Sequence, residues 1–216
     1  MEPHSLAERL AEGAAQLELE LNGAVLIRFV EFVALMRKWN RVHNLTALDD
    51  EGEILTHHLL DSLSLAPFIS GTCCMDIGSG AGLPGIALAL CRPDQHWTLV
   101  ESRAKKAGFL REVKARLRID NISVIAGRVE NYRPGENFDT LVARAVTTLA
   151  SLLNMTDHLR HPHLRLIAMK GVYPGDELAA LTPNQRASTR VVPVEVPGLS
   201  AQRHLVVIDG LPRLRP

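Results

Sequence analysis

A chain of 216 residues, 46% of them hydrophobic and with 24 basic side chains balancing 24 acidic ones, is long enough to bury one sizeable core. Zero net charge argues against a generic nucleic-acid binder, and no apolar run approaches the roughly 18 residues of a membrane span. Met1 to Ser5 lack the basic and apolar regions of a secretory leader, so one compact domain with a small appendage, in the cytoplasm, is expected.

Leu6, Leu10, Leu17 and Leu21 recur among acidic side chains and predict a surface helix over 5–20. After Asn22-Gly23, apolar residues at steps of three and four, from Leu26 through Phe29, Val33 and Met36 to Trp39, predict a second helix. A connector over 40–46 leads to a third helix over about 52–65, which holds His57, His58 and Asp61. His57 and Asp61 share a helical face. Without a third ligand at a recognisable spacing they make no metal site, and a structural hydrogen bond from His57 or His58 to Asp61 is expected. Residues 1–66 thus read as a helical cap and 67–216 as the core.

The stretch from Met75 to Gly85 reads as the end of a buried strand, a glycine loop and the start of a helix. Gly78, Gly80, Gly82 and Gly85 fall within eight positions, so backbone rather than side chain faces the ligand. Gly80, Gly82 and Gly85 satisfy G-x-G-x-x-G, a pattern also used for dinucleotides. Asp76 at the strand end decides between ligands: a carboxylate there repels a pyrophosphate and attracts an ammonium or sulfonium. S-adenosylmethionine carries both cations and no phosphate. Twenty-five residues on, the run from Trp97 to Val100 ends at Glu101, placed to accept from ribose hydroxyls. Cys73, Cys74 and Cys91 fit neither a disulfide framework nor a metal site and read as small buried hydrophobes.

Further apolar, often β-branched runs at 122–126, 138–143, 164–169, 189–196 and 203–208 follow those at 72–77 and 96–101. The first five alternate with helical segments at 85–91, 104–118, 149–160 and 176–181, which predicts βαβ units and a parallel sheet. The last two, separated by six residues, are expected to pair as an edge hairpin, with Pro193 in keeping with an edge strand. The expected fold class is therefore α/β, with a seven-stranded, mostly parallel sheet and an antiparallel C-terminal hairpin, the arrangement expected of a Rossmann-like, class I S-adenosylmethionine-dependent methyltransferase.

In such a sheet the residues after each strand form the site. Beyond Asp76 and Glu101 these are Arg128, Val129 and Glu130, then Arg144, then Lys170. Glu130 and its neighbouring backbone are placed to meet an adenine amine, and Arg144 and Lys170 to stand beside the transferred methyl. Positions 1–100 hold 6 Lys and Arg against 13 Asp and Glu, whereas 101–216 hold 18 against 11. That asymmetry points to a polyanionic partner on one face. Its densest run, Arg103 to Arg118, reads equally as a solvated helix face.

The chain resembles the glucose-inhibited division protein B family, the small-subunit ribosomal RNA methyltransferases G. The resemblance rests on Lys38-Trp39-Asn40 with Asn44-Leu45-Thr46, His58-Leu59-Leu60-Asp61-Ser62-Leu63, the loop from Asp76 to Gly85 with its Leu83-Pro84-Gly85, Arg128-Val129-Glu130, Ala143-Arg144-Ala145, Lys170-Gly171 and Arg203-His204-Leu205. It implies methyl transfer to N7 of a guanosine in 16S rRNA. It also implies that Gly78, Leu83, Val129, Glu130 and Arg144 contact S-adenosylmethionine, and that Arg128, Lys170 and Arg203 surround the RNA target. The expected partner is 16S rRNA or the small ribosomal subunit particle, with the protein a monomer and no metal required. A small-molecule methyltransferase of the same fold explains the glycine loop equally well, but leaves the basic second half unexplained. Asp76 disfavours a nicotinamide or flavin oxidoreductase, and a non-catalytic binding module is the remaining class.

Overall fold

The computed structural model describes residues 5–210. Helix α1 (Leu6–Gln16) opens on a reciprocal cap: the Ser5 hydroxyl accepts from Glu8 N–H, and the Glu8 carboxylate accepts from Ser5 N–H. It ends before position 20 because Glu18 turns to φ 59°, outside right-handed helical space. Helix α2 (Gly23–His43) is capped by Asn22 and terminated by Asn44 in the left-handed region. The third expected helix is wound in three pieces: α3 (Glu51–Ile54), a π-helical stretch (Leu55–Leu60) and α4 (Asp61–Leu63). The wider winding shifts Asp61 away from the position one α-turn beyond His57. In place of the expected imidazole–Asp61 hydrogen bond, His58 meets Thr46 and Asp61 takes two arginines.

The sheet then builds up in the expected alternation. Strand β1 (Cys73–Ile77) leads to α5 (Gly85–Cys91), β2 (His96–Glu101), α6 (Ala104–Leu117), β3 (Ile122–Ala126), β4 (Thr140–Arg144), α7 (Leu149–Met155) and β5 (Arg165–Lys170). Two short helices, α8 (Gly175–Ala179) and the unforeseen α9 (Pro183–Ala187), precede β6 (Thr189–Pro193) and β7 (His204–Asp209). The strand order is β3-β2-β1-β4-β5-β7-β6, with the first five strands parallel and the terminal pair antiparallel. β4 starts two residues later than its apolar run suggests. Phe138 drops into the core, and the Asp139 carboxylate accepts from the N–H groups of Thr72 and Cys73 at 2.8 and 2.9 Å. Arg144, expected just after the strand, is its last residue.

Both faces of the sheet are covered, as a parallel sheet requires. On one face, Phe29, Phe32 and Met36 of α2 share a buried cluster with Ile86 of α5, Phe109 of α6, and Trp97 and Leu99 of β2. Phe109 stacks against Phe32 at 6.4 Å and tilts against Trp39 at 5.5 Å, which locks α2 onto α6. On the other face, Met75, Val100 and Leu141 meet Leu149 and Leu152 of α7. Each such side chain contributes about 1.5–3 kcal/mol on burial. The three cysteines are free, and burial pushes their thiols up to about 11 for Cys73 and about 12 for Cys74 and Cys91. They act as packing, not as nucleophiles. Positions 1–4 of the expected cap and 211–216 of the expected core lie outside the described residues.

Candidate active site

Strand order reverses between β1 and β4, so the crevice at their carboxyl ends is where a ligand enters such a sheet. The glycine loop lies there, and three of its glycines are demanded by geometry, Gly85 because a Cβ would run into Leu99 and Asp76. Gly78 has φ +68°, and a Cβ on it would stand 2.9 Å from Val146. Gly82 has φ +87°, and a Cβ would meet Ile86 at 2.3 Å. Gly80 needs only its backbone freedom, at φ +56°, because a Cβ there would make no more than ordinary contacts with the Gly78 carbonyl and Lys106.

Asp76 sits beneath the loop, fully buried. Its Oδ2 accepts from Gly85 N–H at 2.9 Å and so pins the start of α5, while Oδ1 has no partner among the described residues. Burial pushes the carboxyl up to about 6, against the pull of the Gly85 N–H and of Arg144. A half-satisfied buried carboxylate is costly on its own and suits the approach of a cation. Glu101, also buried, accepts from Gly80 N–H at 2.9 Å through Oε2 and from Arg103 N–H at 2.7 Å through Oε1. It ties the loop to the end of β2, and each oxygen keeps a second lone pair for a hydroxyl donor.

Beside the loop is a cleft of about 110 Å³ whose walls include Gly78, Val100, Arg128, Val129, Glu130 and Val146. Here the structure brings four of the expected residues together. Val129 is buried and begins a single 3-10 turn, Glu130 is half-buried and Arg128 is exposed. Leu83 is different: its side chain belongs to the core behind the loop, and its N–H already donates to Ser79.

Across β4 lies a wider cleft of about 380 Å³ lined by His57, His58, Asp61, Arg144, Lys170 and Arg203. Arg144 Nη1 donates to the His57 carbonyl at 3.1 Å and lies 3.5 Å from Asp61 Oδ2, and Arg203 Nε donates to Asp61 Oδ1 at 2.9 Å. One carboxylate thus holds two guanidiniums. Burial pulls the Arg144 pKa down while Asp61 and Asp76 oppose the change, and an arginine stays charged under such a balance. His58 is buried and lowered to about 4, first by desolvation and then by Arg144, so it is neutral near pH 7. Its Nδ1 lies 3.0 Å from the His57 carbonyl and 3.5 Å from both terminal nitrogens of Arg144, and its Nε2 lies 2.7 Å from the Thr46 hydroxyl. Ala145, directly after Arg144, has φ +52°, a strained conformation of the kind that gathers at functional sites. The Lys170 ammonium lines this cleft but is already engaged at 2.9 Å by both oxygens of Glu177, which also accepts from Leu149 N–H.

Two contributors escaped the sequence reading. Asp61 appeared only as a partner for histidine, because the two arginines that it holds lie 83 and 142 positions away. Lys106 lay within the basic run. Its Nζ donates to the Leu45 carbonyl at 3.2 Å and would stand 3.9 Å from a Cβ on Gly80, which joins the connector, the loop and α6. Among the described residues no three His, Cys, Asp or Glu side chains are grouped to hold a metal, and no helix is long and apolar enough to cross a membrane.

The strand order, the glycine loop over a strand-end carboxylate and the paired clefts define a Rossmann-like methyltransferase of the S-adenosylmethionine-dependent class. Solved structures of similar fold include a SAM-dependent methyltransferase from Aquifex aeolicus, with a TM-score of 0.57 and 16% identity over 76% of this chain and 96% of that one. Another is a mutant of MtNAS in complex with S-adenosylmethionine, with a TM-score of 0.54 and 18% identity over 95% of this chain and 78% of that one. A family model described as rRNA small subunit methyltransferase G matches residues 26–206. Curated relatives named ribosomal RNA small subunit methyltransferase G include one from Aromatoleum aromaticum, 46% identical over 94% of this chain and 98% of the relative. One from Methylobacillus flagellatus is 44% identical over 95% and 98%. The chain belongs to the rRNA small subunit methyltransferase G family.

Proposed function

We propose that the protein transfers the methyl group of S-adenosylmethionine to N7 of a guanosine in 16S rRNA. The observation that carries this reading is the pairing of clefts across the β1–β4 switch: a glycine loop over the half-satisfied Asp76 on one side, and the Arg144–Asp61–Arg203 cluster on the other. Family membership supports ribosomal RNA of the small subunit as the acceptor, and the family resemblance supports N7.

In this reading Asp76, Gly78, Gly80, Leu83, Glu101, Val129, Glu130 and Arg144 hold the donor. Arg128, Lys170 and Arg203 meet the RNA, with Arg144 and Lys170 beside the point of transfer. Residues 1–66 serve as a cap on the core of 67–216 within one domain, and the protein works as a cytoplasmic monomer on 16S rRNA or the small-subunit particle. When bound, the donor supplies an electrophilic methyl carbon on a sulfonium. Guanine N7 presents its own lone pair as an acceptor on the major-groove edge, so no residue has to remove a proton. The chain's work is alignment and exclusion of water, that is, proximity and orientation. An arginine donating to N7 would block the lone pair, so Arg144, where it touches the base, donates to O6 or to a nearby phosphate and leaves N7 free.

Incubation of labelled donor with 16S rRNA, 23S rRNA and tRNA, with the product mapped by mass spectrometry, tests the proposal. Label confined to 16S rRNA, as 7-methylguanosine, is expected. Methylation at N1 or N2, or of small molecules alone, would overturn it.

A further inference from the structure

We propose that Tyr173 is a stacking platform for an unpaired base of the RNA substrate next to the methylated guanosine, an inference that rests on the rRNA reading above. The chain has nine Phe, Tyr and Trp residues. Among the described residues eight of them are buried or half-buried, and Tyr173 alone is exposed, at 60%. It stands in the loop after β5 beside Val172, itself 72% exposed.

This ring is held in place rather than loose. Its residue precedes Pro174, which restricts the backbone to extended conformations, and Pro174 is buried. The Tyr173 carbonyl accepts from Gly175 N–H at 3.1 Å. The ring meets His204 nearly at right angles, with centroids 5.8 Å apart and planes at 80°. His204 pairs with Lys170 in the β5–β7 ladder and follows Arg203, and the wall of the cleft that holds both cations runs along this loop as far as Gly171, two residues before the tyrosine.

Exposing an aromatic ring brings nothing to folding, whereas unpaired bases are recognised by stacking on such rings beside backbone-binding cations. A protein partner would need a broader apolar patch. The other large hydrophobic side chains that stand exposed, Ile27, Val30 and Val42, belong to α2 instead. A pre-ordered ring with cations alongside suits a base.

The test compares Tyr173→Ala, Tyr173→Phe and Tyr173→Trp with wild type by steady-state methylation of 16S rRNA, filter binding of protein-free 16S rRNA and calorimetry with S-adenosylmethionine. Tyr173→Ala should weaken RNA binding and raise KM for RNA roughly ten-fold, with kcat and donor affinity within about two-fold of wild type. The Phe and Trp variants should behave as wild type. Losses in those two equal to the loss in Ala would overturn stacking. So would a defect seen only with the small-subunit particle while protein-free rRNA binds normally, which would assign the ring to a ribosomal protein. If Tyr173→Ala matches a wild type that methylates 16S rRNA, the stacking role alone falls. If wild type methylates no RNA, the functional reading falls and takes this inference with it.

Discussion

Arg203 Nε donates to Asp61 Oδ1 at 2.9 Å, joining residues 142 positions apart, and the Asp61 side chain is only 6% exposed. The same carboxylate faces Arg144, so one aspartate sets the position of two cations at the acceptor cleft. Asp61→Asn should lower stability by about 1–3 kcal/mol, less than a fully buried pair because both arginines keep some solvent contact. It should also cut kcat/KM for RNA. Arg203→Ala should then cost less in the Asp61→Asn background than in wild type, a coupling of about 1 kcal/mol in a double-mutant cycle. Strict additivity would show that the contact does not organise the cleft.

Asp76 couples protonation to both stability and donor binding. Its folded pKa of about 6 lies above the ordinary aspartate value of 3.8, so the folded state holds the proton more tightly and stability falls as pH rises between about 4 and 6. Asp76→Asn should be more stable than wild type above pH 6, by at most about 3 kcal/mol, and equal to it below about pH 4. Donor binding runs the other way. It needs the carboxylate, so affinity for S-adenosylmethionine should weaken as pH falls through about 6, by up to ten-fold per unit. Calorimetry across pH 5 to 8 reads this directly, and a flat profile would remove Asp76 from donor binding.

The glycines of the loop should differ in what they tolerate. Gly80→Ala meets only ordinary van der Waals contacts and backbone strain, costing about 1–2 kcal/mol, whereas Gly82→Ala adds a clash with Ile86 and should cost about 2–4 kcal/mol. Gly80→Val should leave the sheet folded yet abolish donor binding. Denaturant melts and calorimetry separate these outcomes, and near-normal donor affinity in Gly80→Val would place the donor elsewhere.

With saturating donor, the single-turnover rate should be nearly flat between pH 7 and 9. His58 loses its proton near pH 4, far below that range, and N7 needs no base. A ten-fold rise per pH unit would reveal a general base.

RNA contacts should separate by salt dependence. Arg128→Ala should reduce the salt slope of 16S rRNA binding by roughly one phosphate's share, and Arg203→Ala by less, because Asp61 already pairs with that guanidinium. Lys170→Ala should change it less, because Glu177 already neutralises that ammonium. Equal slopes for all three variants and wild type would remove these side chains from the phosphate contacts.

The alternation of apolar runs with helical segments, the Gly78–Gly85 spacing and the strand-end carboxylates are local patterns. Local propensity and periodicity therefore determined the strands, the edge hairpin and the loop without reference to the rest of the chain. What the pattern could not carry was the winding of residues 51–63. Helical periodicity put Asp61 against His57, while the π-helical stretch sends it to Arg144 and Arg203. Partners 83 and 142 positions away come together only when β4 and β7 take their places in the sheet. Burial likewise belongs to the tertiary structure. The same loop reads as an open cradle in sequence, but folding seals Asp76 beneath it and raises its pKa, and it hands the Lys170 ammonium to Glu177. Composition and spacing name the groups at a site; solvent exclusion and long-range pairing decide which of them stay free to act.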